Sequence, residues 1–356
     1  MLALWLTTAW AQGPLLDHDF LRADQLPPPP PDAGDDWGVV DLDGIVLVRP
    51  PATAFQDGFD YTAFQDAIIA AAGGRETPYE VALLVHSDQL PTQYPGAAAF
   101  HLAFNNEDVS GTGNDPVISP EIPIRSGLWF NHVDYWDTWS EYYENWVFCH
   151  EVGHQWLAFA RFDDGQINSQ ELLGRQRAHW SYFVDTPNSP MEGNAWVDNN
   201  DGTFTTDLTV LPAFSSLDLY LMGLLSAEDV PPFFYIADAE TDERGRETRP
   251  EHVFNKEPVT VTGTRVDLTI DDIISANGEW SGTVPTEQKI LYILVVGPEE
   301  IVTDAVMDQA LSRVDGWTGA WEDCTGGLGA VKIGVTDEGL QPPPAAAPSL
   351  VPGGAW

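Results

Sequence analysis

The hydrophobic pattern of the first third of the chain predicts strands alternating with a helix. Residues 44–49 and 81–85 are short apolar runs typical of buried strands. Between them, residues 60–72 carry apolar side chains at helical spacing, and a glycine pair predicts the end of that helix. Residues 98–105 predict a further strand. Strand, helix and strand in this order indicate a crossover unit with parallel strands.

A long helix is predicted next, over residues 138–161. Its apolar side chains lie on every side rather than along one stripe: Trp146, Val147, Phe148, Val152, Trp156, Leu157 and Phe159. A helix that is apolar all round runs through a core. Charged or polar residues within this helix therefore require an explanation.

The pattern changes near residue 259. From there to residue 270, apolar and polar residues largely alternate, as in half-buried strands. Residues 290–296 predict a buried strand, and residues 299–321 predict a helix. No combination of potential catalytic residues is evident in this part. We expect residues 251–340 to form a C-terminal subdomain that follows a main domain at 37–250.

Both ends of the chain differ from the part between them. Residues 1–11 form a short apolar run that ends in an A-x-A-like cleavage site, although a basic n-region is missing, and they predict a signal peptide. Residues 12–36 include five consecutive prolines and predict a stiff linker, while residues 341–356 form a Pro/Ala-rich tail. No later apolar run reaches the roughly 18 residues of a membrane span. We expect a secreted, periplasmic or cell-surface protein.

Composition excludes two classes of protein. The 356 residues include 14 Trp, 10 Tyr and 16 Phe, enough to build a sizeable core, which argues against disorder throughout. The formal net charge is −40, so the chain repels phosphates, which argues against nucleic acid as a partner. We expect the protein to be a monomer. An acidic surface also suits a salty or Ca²⁺-rich medium.

The two cysteines, Cys149 and Cys324, leave two interpretations open. They can pair in a secreted protein, but pairing needs Cα atoms within about 7 Å, which the sequence does not show. Alternatively, Cys149 is a buried free thiol inside the long helix.

The polar residues of that helix form the pattern H-E-x-x-H: His150, Glu151 and His154. Spacing of i, i+4 stacks both imidazoles on one face of a helix, where they can bind one Zn²⁺. Glu151 lies beside them without being a ligand, near enough to accept a proton from water that the zinc acidifies. The sequence therefore predicts a zinc site with Glu151 as general base.

The segment 147–157 resembles the active-site helix of the zincin metallopeptidases, and the resemblance covers about residues 40–230. It implies an α+β fold, in which a mixed, twisted sheet with an edge strand lies over a long active-site helix, with the C-terminal subdomain in addition. The edge strand would be 98–105, which would pair with an extended peptide or protein substrate. The resemblance further implies a zinc-dependent endopeptidase.

The third ligand is open, because Leu157 and Ala160 replace the glycine and the histidine of the metzincin extension. His179 is the first candidate. It precedes residues 189–196, which resemble the Met-containing turn of metzincin-like peptidases, including the immune-inhibitor-A type. Asp218 is the main alternative, slightly similar to the aspzincin pattern, although Ser215 and Asp218 also form a helix capping box. The remaining candidates are Glu171 (as in gluzincins) and Glu192.

Two further sets of residues have candidate roles. Tyr182, Tyr220 and His252 are possible donors to a developing oxyanion. The acidic segment 198–201 is a candidate Ca²⁺ site, but its spacing does not match an EF-hand and it suits a hairpin turn better.

Two other functions compete with the peptidase. One is an inactive surface or binding protein on a zincin scaffold, in which Glu151 would have no use. The other is a binding module with a structural metal site, which a closed set of four ligands would indicate.

Overall fold

The computed structural model describes residues 20–22, 37–42, 44–51, 58–73, 75, 79–87, 90–94, 96–119, 122, 124–165, 168–239, 257–282, 287–297, 300 and 302–334. The predicted signal peptide, most of the predicted linker and the predicted tail lie outside these residues.

The described part is a mixed α+β fold. Its strands are β1 (Phe20–Arg22), β2 (Gly38–Leu42), β3 (Ile45–Arg49), β4 (Val81–His86), β5 (Phe100–Ala103), β6 (Ser126–His132), β7 (Phe162–Asp163), β8 (Asn168–Ser169), β9 (Trp180–Asp185), β10 (Glu192–Asn194), β11 (Trp196–Asp198), β12 (Thr203–Thr206), β13 (Phe233–Ala237), β14 (Thr260–Thr262), β15 (Thr264–Leu268), β16 (Glu287–Val295) and β17 (Ala330–Ile333). Its α-helices are α1 (Tyr61–Ala72), α2 (Glu141–Gly153), α3 (Ser216–Leu221), α4 (Ile270–Asn277), α5 (Asp304–Leu311) and α6 (Val314–Cys324).

The largest sheet of the described part has eight strands. Seven follow the order β1-β5-β6-β4-β16-β3-β2, and β17 pairs with one end of β16. The central strands β6, β4, β16 and β3 are parallel, whereas β5 and β2 run antiparallel to their inner neighbours. The predicted crossover unit β3–α1–β4 is present, with its two strands parallel but separated by β16.

The central strands are buried on both faces, and each face is covered by at least one helix. On one face, Phe64 and Ile68 of α1 pack with alternate strand residues such as Leu84 and Trp129. On the other face, α2 and α6 pack against the intervening strand residues, among them Leu83, Val85 and Leu128. Continuous apolar strands are what a parallel sheet covered on both faces requires.

Two strands occupy positions that differ from the expected arrangement. β16, from the segment expected to form a C-terminal subdomain, is hydrogen-bonded between β3 and β4 and shares their core. β5 was expected to be a free edge strand, but β1 pairs with its outer side in parallel register. Both pairings join segments far apart in the sequence, which local patterns do not encode.

The helix predicted over 138–161 is shorter, and that prediction is wrong at its C-terminal end. Ser140 caps the start of α2 by accepting a hydrogen bond from the backbone N–H of Tyr143. The helix ends at Gly153, and the chain continues as buried turns through Ala160. A buried turn and a buried helix are both apolar throughout, so the pattern does not distinguish them.

The prediction of a single helix over 299–321 is also wrong, because the segment contains two helices. α5 and α6 are separated at Ser312 and Arg313. The Arg313 guanidinium turns away to pair with Glu144 of α2 and with Asp137. An ion pair between distant segments therefore accompanies the break.

A disulfide joins Cys149 of α2 to Cys324 of α6, with 6.6 Å between the Cα atoms. Of the two interpretations left open by the sequence, the bridge is the one observed. The longest described helix has 13 residues, and no described helix is long and apolar enough to cross a membrane.

Candidate metal centre

Three histidines from two regions of the chain meet beneath the large sheet. His150 lies in the last turn of α2, His154 caps the same helix, and His179 immediately precedes β9. All three side chains are fully buried. We call His150, His154 and His179 the tri-histidine cluster.

The imidazoles of this cluster converge through their Nε2 atoms. The Nε2 atom of His150 lies 3.1 Å from that of His154 and 3.2 Å from that of His179. One potential ligand atom from each of the three residues lies within 4.8 Å of the others. In a tetrahedral site with Zn–N bonds near 2.1 Å, the nitrogens would be about 3.4 Å apart. The observed spacing is close to that of a metal site.

The opposite ring nitrogens establish which atoms carry protons. The Nδ1 atom of His150 lies 2.7 Å from the Pro190 carbonyl oxygen, and those of His154 and His179 lie 3.0 Å from the carbonyls of Leu157 and Arg175. A carbonyl oxygen only accepts, so each Nδ1 donates its hydrogen. In a neutral ring, Nε2 is then an unprotonated lone pair. Three converging lone pairs repel one another unless a cation lies between them, and backbone acceptors of this kind are typical behind metal-binding histidines.

Burial keeps these rings neutral. It lowers the pKa of His154 to about 3 and those of His150 and His179 well below their usual range. The nearby Arg175 guanidinium lowers all three further. Neutral imidazole is the form that binds a metal.

The loops that carry the backbone acceptors are tied together by an ion pair. Arg175, whose carbonyl accepts from His179, directs its Nε to Glu192 Oε1 at 2.6 Å. Glu192 follows Pro190 and Met191, and Pro190 accepts from His150. The Arg175–Glu192 pair thus holds the loop of His179 against the loop that orients His150.

Met191 lies beneath the end of α2. A Cβ atom added to Gly153 would come within 2.7 Å of the Met191 Sδ and 3.1 Å of Phe214. The glycine of the H-E-x-x-H segment therefore allows the methionine to approach the helix closely.

Glu151 is fully buried in α2, one residue after His150 and three before His154. A carboxylate buried beside a metal site is chemically suited to accept a proton.

The other candidate ligands do not belong to this cluster. Asp218 accepts hydrogen bonds from Trp180 Nε1 (2.7 Å) and from the N–H and hydroxyl of Ser215, which form the expected capping box. Glu192 is paired with Arg175, and Glu171 is exposed. In the part of the chain that the structure describes, the tri-histidine cluster is the group of three or more potential metal ligands that come together.

Two of the three candidate oxyanion donors lie among the described residues. The hydroxyl of Tyr220 accepts the backbone N–H of Trp280, and Tyr182 is buried in β9; His252 lies outside the described residues. In the segment 198–201, carboxylates accept hydrogen bonds from the N–H groups of Asn200 and Thr203. That arrangement is a hairpin turn between β11 and β12.

One residue of the site was not singled out from the sequence. His101 of β5 is fully buried, and its ring centroid lies 5.9 Å from that of His154. The sequence pattern could have indicated His101, because alternation along a strand places its side chain on the face opposite Phe100 and Leu102.

Comparisons with protein-family models, with curated proteins and with solved structures find no match to this chain. The potential ligand atoms of the tri-histidine cluster are therefore the main evidence about which metal the site can bind. Three neutral imidazoles suit Zn²⁺ and other first-row transition metals better than Ca²⁺ or Mg²⁺, which prefer oxygen. The residues present fit a divalent transition metal.

Proposed function

We propose that this protein is a zinc-dependent endopeptidase in which His150, His154 and His179 hold the metal and Glu151 is the general base. The observation that carries the proposal is the convergence of three Nε2 lone pairs beside a buried glutamate in an H-E-x-x-H helix. Three histidine ligands leave a fourth position open in a tetrahedral site, which is the arrangement of catalytic zinc.

The chain's own residues perform the remaining steps. Zinc, when bound, supplies a Lewis acid that acidifies water and polarises a carbonyl. Glu151 accepts the proton of the attacking water and returns it to the leaving amine. The backbone carbonyls of Pro190, Leu157 and Arg175 keep the ligand rings oriented through Nδ1. Peptide as the substrate rests on the zincin resemblance of the segment 147–157.

The proposed compartment is the cell exterior or the periplasm. The Cys149–Cys324 disulfide supports this location, because structural disulfides persist in oxidising compartments. The apolar N-terminal run with its A-x-A-like site supports it as well.

A structural metal site is the second candidate, and one observation favours it. All three imidazoles are fully buried, as is usual when a metal only holds a fold together. In that case Glu151 would have no role in chemistry, and the protein would act as a binding protein on a similar scaffold.

Glu151→Gln separates the two candidates, because the amide has the same shape but does not accept the proton. We expect the variant to retain about one zinc per chain by elemental analysis and to lose casein hydrolysis by at least about 10²-fold. His179→Gln is the paired variant, which should lose metal as well as activity. Zinc bound by the wild type without any hydrolysis would favour the structural site, and equal hydrolysis by wild type and Glu151→Gln would refute the role of Glu151.

A further inference from the structure

His101 faces the tri-histidine cluster from the sheet. In β5, the neighbours Phe100 and Leu102 point into the core on the α1 side. Alternation along the strand therefore directs His101 to the opposite face, which α2 covers. There its ring centroid lies 5.9 Å from that of His154.

The His101 ring is a polar group that the surrounding protein does not satisfy. It is fully buried, and neither ring nitrogen has a hydrogen-bond partner among the described residues. A neutral imidazole has one donor and one acceptor, and buried polar groups are normally paired. His101 does not belong to the group whose ligand atoms lie within 4.8 Å of one another, so its position differs from that of a ligand.

We propose that His101 is a catalytic residue that donates a ring N–H to the carbonyl oxygen of the scissile peptide bond. This inference rests on the peptidase function proposed above. As water attacks, the carbonyl oxygen gains negative charge, and a donor already in place strengthens its hydrogen bond at that moment. The hydrogen bond adds no covalent step, and His101 keeps its proton throughout.

A second buried imidazole of the same sheet provides a matched control. His86 of β4 is also fully buried, and its Nε2 has no hydrogen-bond partner among the described residues. Its ring, however, stacks with Phe59 and Trp129 on the α1 side, away from the tri-histidine cluster. Substitution of His86 therefore removes an equivalent core imidazole without touching the site.

The experiment compares wild type, His101→Ala, His101→Gln and His86→Ala as purified, folded proteins. Three quantities are measured: zinc stoichiometry and affinity, kcat and KM for a casein-derived peptide, and the affinity of the Co²⁺-loaded protein for acetohydroxamate by visible absorption. If His101→Ala does not fold, His101→Phe replaces it, because the phenyl ring fills the volume without a donor.

We expect His101→Ala to bind zinc within about twofold of wild type while kcat falls about 10²–10³-fold and KM changes little. Acetohydroxamate affinity should fall at least about tenfold, and His101→Gln should recover part of both losses because its amide is a donor. His86→Ala should leave kcat and acetohydroxamate affinity unchanged per folded molecule.

Two results would overturn the proposal for His101. Unchanged kcat and acetohydroxamate affinity in His101→Ala would make it a core residue, and a tenfold loss of zinc affinity with an altered Co²⁺ spectrum would make it a ligand. If the wild type binds zinc but hydrolyses no peptide, the proposed peptidase function is refuted, whatever the His101 variants show. In that case His101 is no peptidase residue, and acetohydroxamate binding shows whether it still serves as a donor.

Discussion

We expect the buried imidazoles of the tri-histidine cluster to make the stability of the metal-free protein depend on pH. In an unfolded chain, histidine titrates near pH 6.5, whereas burial lowers the pKa of His154 to about 3 in the folded protein. Between these values the unfolded state binds a proton that the folded state does not. The stabilising contribution is therefore complete above pH 6.5 and is lost as the pH falls through this window.

We predict that the free energy of unfolding of the metal-free protein depends less on pH in His154→Gln than in wild type. Each such imidazole accounts for at most about 1.4 kcal/mol per pH unit below pH 6.5. Urea denaturation at several pH values from 7.5 to 4.5 measures the two slopes. The comparison between variants is needed because Asp185, whose pKa is raised to about 6 by burial, acts in the opposite sense. Identical slopes would contradict the prediction.

At the scale of elements, the end of α2 depends on a glycine. Gly153 is the last residue of the helix, and its missing side chain leaves room for Met191 and Phe214. Met191 is fully buried and follows Pro190, the acceptor of His150. A displacement of Met191 would therefore be transmitted to His150 of the tri-histidine cluster through the Pro190 carbonyl.

Gly153→Ala is expected to destabilise the protein by about 1–3 kcal/mol through overpacking, and to weaken zinc binding. Gly319→Ala is the control, because an added Cβ at Gly319 of α6 meets nothing within 4 Å. That substitution should stabilise the protein by about 0.5–1 kcal/mol, the usual gain of alanine over glycine inside a helix. Thermal denaturation of both variants tests the pair. A Gly153→Ala variant as stable as wild type, with unchanged zinc affinity, would show that Met191 moves freely.

At the scale of the whole molecule, the net charge of −40 produces repulsion between surface carboxylates. Salt bridges relieve this only locally, as in the pair between Arg125 and Asp108. Dissolved salt screens the rest, because the Debye length is about 10 Å at 0.1 M and about 3 Å at 1 M.

Raising NaCl from low concentration to about 1 M at pH 7.5 should therefore increase the melting temperature. A gain of about 1 kcal/mol corresponds to a rise of about 1–2 °C for a chain of 356 residues, because the entropy of unfolding grows with chain length. Near the isoelectric point of about 4.1 the net charge is small, and the same addition of salt should have little effect. An equal salt response at both pH values would point to preferential hydration instead of charge repulsion.

The parts of this protein that local sequence predicted well are those whose signals are local. The strands β3 and β4 and the helix α1 appear within a few residues of the predicted bounds, because each needs only a run of apolar residues or a helical period. The approach of His150 and His154 to each other at the C-terminal end of α2 follows in the same way from their spacing of four residues.

Tertiary structure determined which residues join His150 and His154. Contacts between segments that are distant in the chain leave no periodic pattern in the sequence. His179 reaches the cluster while Asp218 is held by Trp180 and Ser215, although the sequence offered both as ligands. His101 lies near the cluster through the pairing of β5 with β6, and β16 enters the sheet between strands more than 190 residues earlier. Amino-acid spacing thus specified the helix that carries His150, Glu151 and His154. The rest of the site depends on long-range packing, since residues far apart in the chain meet only when the whole core forms.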